Sequence, residues 1–152
     1  MKNKLTILAS ALLIVALFSM TASASIVQLC YTNSHGNTGC CWATGSCANI
    51  NCPPHWTCAD AGIIGTPTFT KKGDGVTMTV NGVTLPLAGE EFLRKFKQLS
   101  DELAEGKGNK TEIEKKLADL WTDPEDWKVS DKLLEKYKKE FSGGSTGGST
   151  GD

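Results

Sequence analysis

The chain has 152 residues, 16 of them Lys or Arg and 17 Asp or Glu, for a formal net charge of −1. That length holds one domain, or one small domain with an appendage. The near balance of charge excludes a globally basic protein that grips phosphate backbones, so nucleic acid is not an expected partner.

The chain opens Met-Lys-Asn-Lys, continues in an almost wholly apolar run from Leu5 to Phe18, and then reads small residues to Ala22-Ser-Ala24. A basic start, a hydrophobic stretch and a small-x-small site predict a secretory signal over residues 1–24. The apolar run has 14 residues, short of the roughly 20 that a spanning helix needs. The mature chain is therefore expected to be secreted or periplasmic, with no stable membrane span after cleavage. Its charge, without Lys2 and Lys4, is 14 − 17 = −3.

Cysteines stand at 30, 40, 41, 47, 52 and 58, and none follows. An even count packed behind an export signal reads as a disulfide framework that takes in Cys30, Cys40, Cys41, Cys47, Cys52 and Cys58. Six cysteines allow 15 pairings, and the adjacent Cys40 and Cys41 are not expected to bond to each other. Residues 25–65 hold a single charged side chain, Asp60. They have few aliphatic residues, so cross-links are expected to stabilise this cysteine-rich module.

Residues 66–141 have a different character. Val76, Met78 and Val80 alternate with Thr, then come Asn81-Gly82 and Val-Thr-Leu-Pro-Leu. This predicts a hairpin over 75–87 with a type I′ turn. Closing it there sets Val80 against Val83, Met78 against Leu85 and Val76 against Leu87. Pro86 marks an edge strand or a strand end, and Pro67–Lys71 is positioned to add a third antiparallel strand. Phe92, Phe96, Leu99 and Leu103 predict a helix over about 89–104. Thr111-Glu-Ile-Glu114 reads as a capping box that opens a second helix over about 112–121. Pro124 near a helix start and the stripe Trp127, Leu134, Tyr137, Phe141 predict a third over 124–141. These helices carry 14 acidic and 12 basic residues, interleaved as on a solvated face. Residues 142–152, with Gly-Gly-Ser-Thr repeated, read as a flexible tail. The fold class is thus a small disulfide-rich module followed by an α+β domain, a hairpin or three-strand meander packed by about three helices.

The functional expectation comes from the first zone. Tyr31, Trp42 and Trp56 lie among Asn49, Asn51 and His55 in a nearly uncharged segment. Flat aromatic rings flanked by amides suit a sugar ring, whose C–H face packs on the aromatic and whose hydroxyls bond the amides; the alternative is that Trp42 and Trp56 form the module's own small core. From Cys40 the order Cys-Cys-Trp-Ala-Thr-Gly-Ser-Cys, then cysteines after four and five further residues, resembles hevein-type chitin-binding modules over about 20 residues. It differs from them in lacking a cysteine between Cys30 and the adjacent pair. Cys-Pro-Pro-His-Trp-Thr-Cys also resembles a granulin half-repeat.

The leading expectation is a secreted, non-enzymatic binding protein for a carbohydrate or another cell-surface partner, with no cofactor. The competing one is a thiol-redox or metal-handling protein. Cys52-x2-His55-x2-Cys58, with Cys47, could supply metal ligands. Ile64-Gly-Thr-Pro67-Thr-Phe69 followed by a hairpin and helix resembles the closing half of a thioredoxin-like oxidoreductase, in which that proline is cis and faces the active cysteines. The chain has no Cys-x-x-Cys, so the resemblance does not extend to a tuned thiolate. A third expectation is a secreted toxin or inhibitor. No hydrolytic constellation and no phosphate loop is present. Asn109-Lys-Thr111 fits an N-glycosylation sequon.

Overall fold

A computed structural model describes residues 26–61 and 65–149. The predicted signal segment 1–24 and the end of the predicted tail lie outside the described residues. Strands β1 (Ile26–Thr32), β2 (Thr38–Thr44) and β3 (Trp56–Asp60) form one antiparallel sheet in the order β2-β1-β3. Strands β4 (Thr68–Lys72), β5 (Gly75–Val80) and β6 (Val83–Pro86) form a second, in the order β4-β5-β6. Helices α1 (Glu90–Ala104), α2 (Lys110–Asp119) and α3 (Asp131–Ser149) follow. The architecture is α+β. No helix among the described residues is long and apolar enough to cross a membrane.

The second sheet follows the expected register. Val80 opposes Val83 and Met78 opposes Leu85, while the Leu87 N–H donates to the Val76 carbonyl at 2.8 Å. Asn81 and Gly82 both have positive φ, 53° and 79°, as a type I′ turn requires. β6 is an edge strand of its own sheet, which accommodates Pro86. Beyond it the chain reaches the first sheet: Leu87 forms a parallel bridge to Trp42, and the Ala88 N–H donates to the Trp42 carbonyl at 2.8 Å.

Two cores flank this junction. The first holds Val27, Leu29, Cys41, Ala43 and Trp56 against Phe92, Phe96, Leu99, Ile113, Leu117 and Leu120. The second holds Ile26 and Trp42 against Val76, Met78, Val80, Leu133, Leu134, Tyr137 and Phe141. Each core takes side chains from both sides of residue 65, so the boundary expected there does not separate two cores. The cause is the pleat. Successive residues of β1 point to opposite faces, and Ile26 and Val27 are each buried, one in each core. Residues 26–61 lack the aliphatic bulk to close a core of their own, and α1, α2 and the second sheet supply it.

Helix boundaries differ from the periodicity in two places. Asn109, not Thr111, caps α2, with its side-chain oxygen accepting from the Glu112 N–H at 3.2 Å. The preceding Gly106 and Gly108 take positive φ of 70° and 72°, which turns the chain sharply enough to start the helix at Lys110. The third helix begins at Asp131 rather than 124. Pro124–Trp127 is a 3-10 turn capped by the Asp123 side chain. The Val129 N–H donates to the Asp74 carbonyl at 2.9 Å, and that bond holds the intervening backbone out of the helix. At its far end α3 continues through Ser149, over residues assigned from composition to coil. Extending a helix already anchored by Leu133, Leu134, Tyr137 and Phe141 needs no new nucleus.

Candidate binding surfaces

The predicted aromatic face does not form. Trp42 is 5% exposed and Trp56 6% exposed. Trp42 donates its indole N–H to the Met78 carbonyl at 3.2 Å beneath the second sheet. Trp56 packs on Phe96 and Trp121, with ring centroids 4.9 and 5.8 Å away. Large rings go where the most apolar surface can meet them, and the helices offer more than solvent does. Tyr31 remains half-buried, 5.2 Å from the Trp56 ring.

The remaining site residues divide between two hollows on either side of one turn. Tyr31, His55 and the edge of Trp56 line a cavity of about 240 Å³. His55 is exposed and held at φ 71°. Asn51 lines a wider groove of about 530 Å³ with Cys52, Pro53, Ser100, Lys107 and Lys110. Pro54 borders both hollows. Asn51 donates to Asp101 on α1 at 3.0 Å; Lys97 first, and then Asn51, hold the Asp101 carboxyl below its ordinary range. Asn49 is exposed but lines neither hollow, and Trp42 also lines neither.

Four of the six cysteines are bridged, as Cys30–Cys40 and Cys47–Cys58. Cys41 and Cys52 are free thiols, the first buried and the second exposed, which corrects the expectation of a framework of six. Cys30 and Cys40 are directly opposed across β1 and β2, with Cα atoms 4.1 Å apart. The neighbouring 33–37 pair is hydrogen-bonded, so alternation makes 30–40 a non-hydrogen-bonded pair, where side chains come closest. Adjacent residues on a strand face opposite ways. Cys40 therefore turns outward to its bridge and Cys41 turns into the core, where burial pushes its thiol far above the ordinary value. Burial also raises Cys52.

These pairings remove the metal-ligand set read from the sequence, because Cys47 and Cys58 are bonded to each other. No group of three or more His, Cys, Asp or Glu able to hold an ion occurs among the described residues. The peptide before Pro67 is not cis, and Pro67 leads into an antiparallel edge strand. The arrangement implied by the thioredoxin resemblance is absent there.

The sequence reading missed a surface on the outer side of the first sheet. With Val27, Leu29, Cys41 and Trp56 facing the first core, the pleat turns Gln28, Cys30 and Thr32 of β1, Thr38 and Cys40 of β2, and Thr57 and Ala59 of β3 outward. Trp42 and Ile26 share that side and are covered by the second core; the rest stays open. Thr32, Thr38, Thr57 and Ala59 are exposed, while Gln28, Cys30 and Cys40 are partly so. The Thr32 and Thr38 hydroxyls meet at 2.9 Å across the strands. No charged residue lies on this face, although the chain has 33 (16 basic, 17 acidic). The alternation Gln28, Cys30, Thr32 against Val27, Leu29, Tyr31 was the signal that could have found it. Comparison of the chain with protein-family models, curated proteins and solved structures found no match.

Proposed function

We propose that the chain is a secreted or periplasmic, non-enzymatic binding protein that recognises a neutral carbohydrate at the cell exterior. The site is the open outer face of the first sheet. One observation carries this reading: a strand face of hydroxyl and amide side chains, cross-linked by Cys30–Cys40, is free of charge in a protein otherwise dense with ions. Hydroxyl and amide groups both donate and accept, which suits a ligand made of hydroxyls. A charged partner would find no counter-ion there. The disulfide ties two strands of the face together and lowers the ordering cost of binding. Trp42 and Trp56 belong to the cores, and half-buried Tyr31 packs against Trp56 on the opposite side of the sheet from this face.

Pull-down of the mature chain on chitin and cellulose tests the proposal, with Thr38→Lys and Thr57→Lys as variants. Both positions are exposed, so the fold should survive, as circular dichroism would confirm. Loss of retention in both variants supports the face. Retention equal to the parent's in both rejects it.

A second reading, a thiol-redox protein, rests on the exposed thiol of Cys52 beside the 530 Å³ groove. Burial raises that thiol, which keeps it protonated and slow as a nucleophile at neutral pH. Insulin reduction at background rate would end this reading.

A further inference from the structure

Helix α3 carries a surface that the sheet face does not explain. Lys132, Lys136 and Lys139 stand at i, i+4 and i+7, so they share one side of the helix, and all three are exposed. They border an open groove of about 850 Å³ floored by Leu133 and shared with Glu90 and Glu135. Both carboxylates are engaged. Glu90 accepts from the Ser130 N–H at 3.0 Å and from the Ser130 hydroxyl. Glu135 pairs with Lys138 at 3.6 Å. Among the described residues none of the three lysines has a carboxylate within ion-pair distance. Lys136 acts at longer range on the Glu140 carboxyl. A row of three free ammonium groups spread over about 10 Å remains, at 1.5 Å of rise per residue.

We propose that this side of α3 docks a linear polyanion whose phosphate charges recur along its backbone with no bases or acyl chains attached, as in inorganic polyphosphate. A row of point charges fits a row of phosphates, and each ammonium offers three donors without demanding a planar partner. The chain's net negative charge does not forbid this, since salt screens charges beyond about 10 Å and leaves the local row dominant. A bilayer fits less well. The apolar residues of α3, Leu133, Leu134, Tyr137 and Phe141, are buried in the second core, so nothing is left to insert among lipid chains. A nucleic acid also fits less well, because no aromatic side chain lines the groove on which a base could stack.

The test is titration of the mature chain with long-chain polyphosphate at low salt. Binding should weaken with added salt, as counter-ion release requires. The triple variant Lys132→Glu, Lys136→Glu, Lys139→Glu should lose affinity by about tenfold or more, in keeping with the loss of three phosphate partners. A control triple on α2, Lys110→Glu, Lys115→Glu, Lys116→Glu, changes net charge equally and should stay within about twofold of the parent. The Lys→Gln triple at 132, 136 and 139 should also lose binding, and it serves if the Glu variant misfolds. Equal losses in the α2 and α3 triples would overturn the proposal. So would the absence of parent binding, tighter binding to single-stranded DNA than to polyphosphate, or binding to phosphatidylglycerol vesicles without binding to polyphosphate.

Discussion

The phenol oxygen of Tyr137 donates to the carbonyl of Ala88 at 2.7 Å and lies 3.4 Å from that of Trp42. Ala88 and Trp42 are the residues through which the two sheets meet, so one side chain of α3 seals the junction. Tyr137→Phe keeps the ring and removes the donor. The Ala88 carbonyl is then buried without it, and the expected cost is about 1–3 kcal/mol by urea denaturation.

Burial also makes Tyr137 and Cys41 sensitive to alkali. Both groups are held protonated above their ordinary values of 10.0 and 9.0. As pH rises, the unfolded chain gives up these protons first. The stability they contribute is whole below about pH 9 and declines above it, until the folded groups ionise too. Urea midpoints measured from neutral to strongly alkaline pH should show this fall. Cys41→Ala should remove the part that sets in near the thiol value, and Tyr137→Phe the part near the phenol value. If both variants keep the parent's slope, the burial of these groups is not its source.

The thiol inventory is open to direct counting. Alkylation of the native, unreduced protein should label one site, Cys52, and alkylation after unfolding should label Cys41 as well. The intact mass should lie about 4 Da below the fully reduced value, one hydrogen for each bridged sulfur. Cys52→Ser should abolish native labelling. A deficit of about 6 Da would instead mean three bridges, and Cys41 would have to leave the core to make the third. Replacing Cys30 and Cys40 together with Ser should cost about 2–3 kcal/mol, from the entropy of the short loop they close.

Local signals in the sequence located much of the fold. Asn81-Gly82 and the Val76-Met78-Val80 alternation are read within a dozen residues, and the second sheet keeps that register. The spacing of Phe92, Phe96 and Leu99 marks the buried side of α1, and all three are in the first core. What failed depended on distant partners. Whether Trp56 faces solvent is decided by Phe96 and Trp121, 40 and 65 positions later (96 − 56 and 121 − 56). Composition around Trp56 carries no trace of them. Cysteine count could not show that Cys41 turns inward, because that follows from the register of β2 against β1. The start of α3 lies later than the spacing predicts: Trp127 fits the stripe, but the bond between Val129 and Asp74 breaks the helix there.

Gly89 tests the close approach of the chain before α1 to the turn after α2. Its N–H donates to the Asp126 carbonyl at 3.0 Å, and a Cβ built on it would collide with the Lys128 and Asp126 carbonyl oxygens. Its φ of −79° is open to any residue, so only space demands glycine. Gly89→Ala should cost about 1–3 kcal/mol, as overpacking does. Gly73→Ala makes a contrast: nothing lies within reach of the new methyl group, but φ is +61°. Its cost should be about 1–2 kcal/mol of backbone strain. A Gly89→Ala protein as stable as the parent would show that the two segments are free to separate.

The Lys95–Asp126 pair makes an asymmetric prediction. The Asp126 side chain is 2% exposed and that of Lys95 33%, with 2.8 Å between Nζ and Oδ1. Asp126 is the first cause of the raised Lys95 value, and Asp123 adds to it from 3.8 Å. Removing the carboxylate charge with Asp126→Asn leaves an ammonium that can still reach water and Asp123, and should cost about 1–2 kcal/mol. Lys95→Met leaves a buried carboxylate with no ion-pair partner and only the longer-range charge of Arg94 to balance it, and should cost about 3 kcal/mol or more. The double variant should recover part of that loss, because the stranded charge is gone. Urea denaturation of the four proteins at one pH measures the cycle. If Asp126→Asn proves the costlier single change, the carboxylate does more than balance Lys95, and its other neighbours in the 3-10 turn become the place to look.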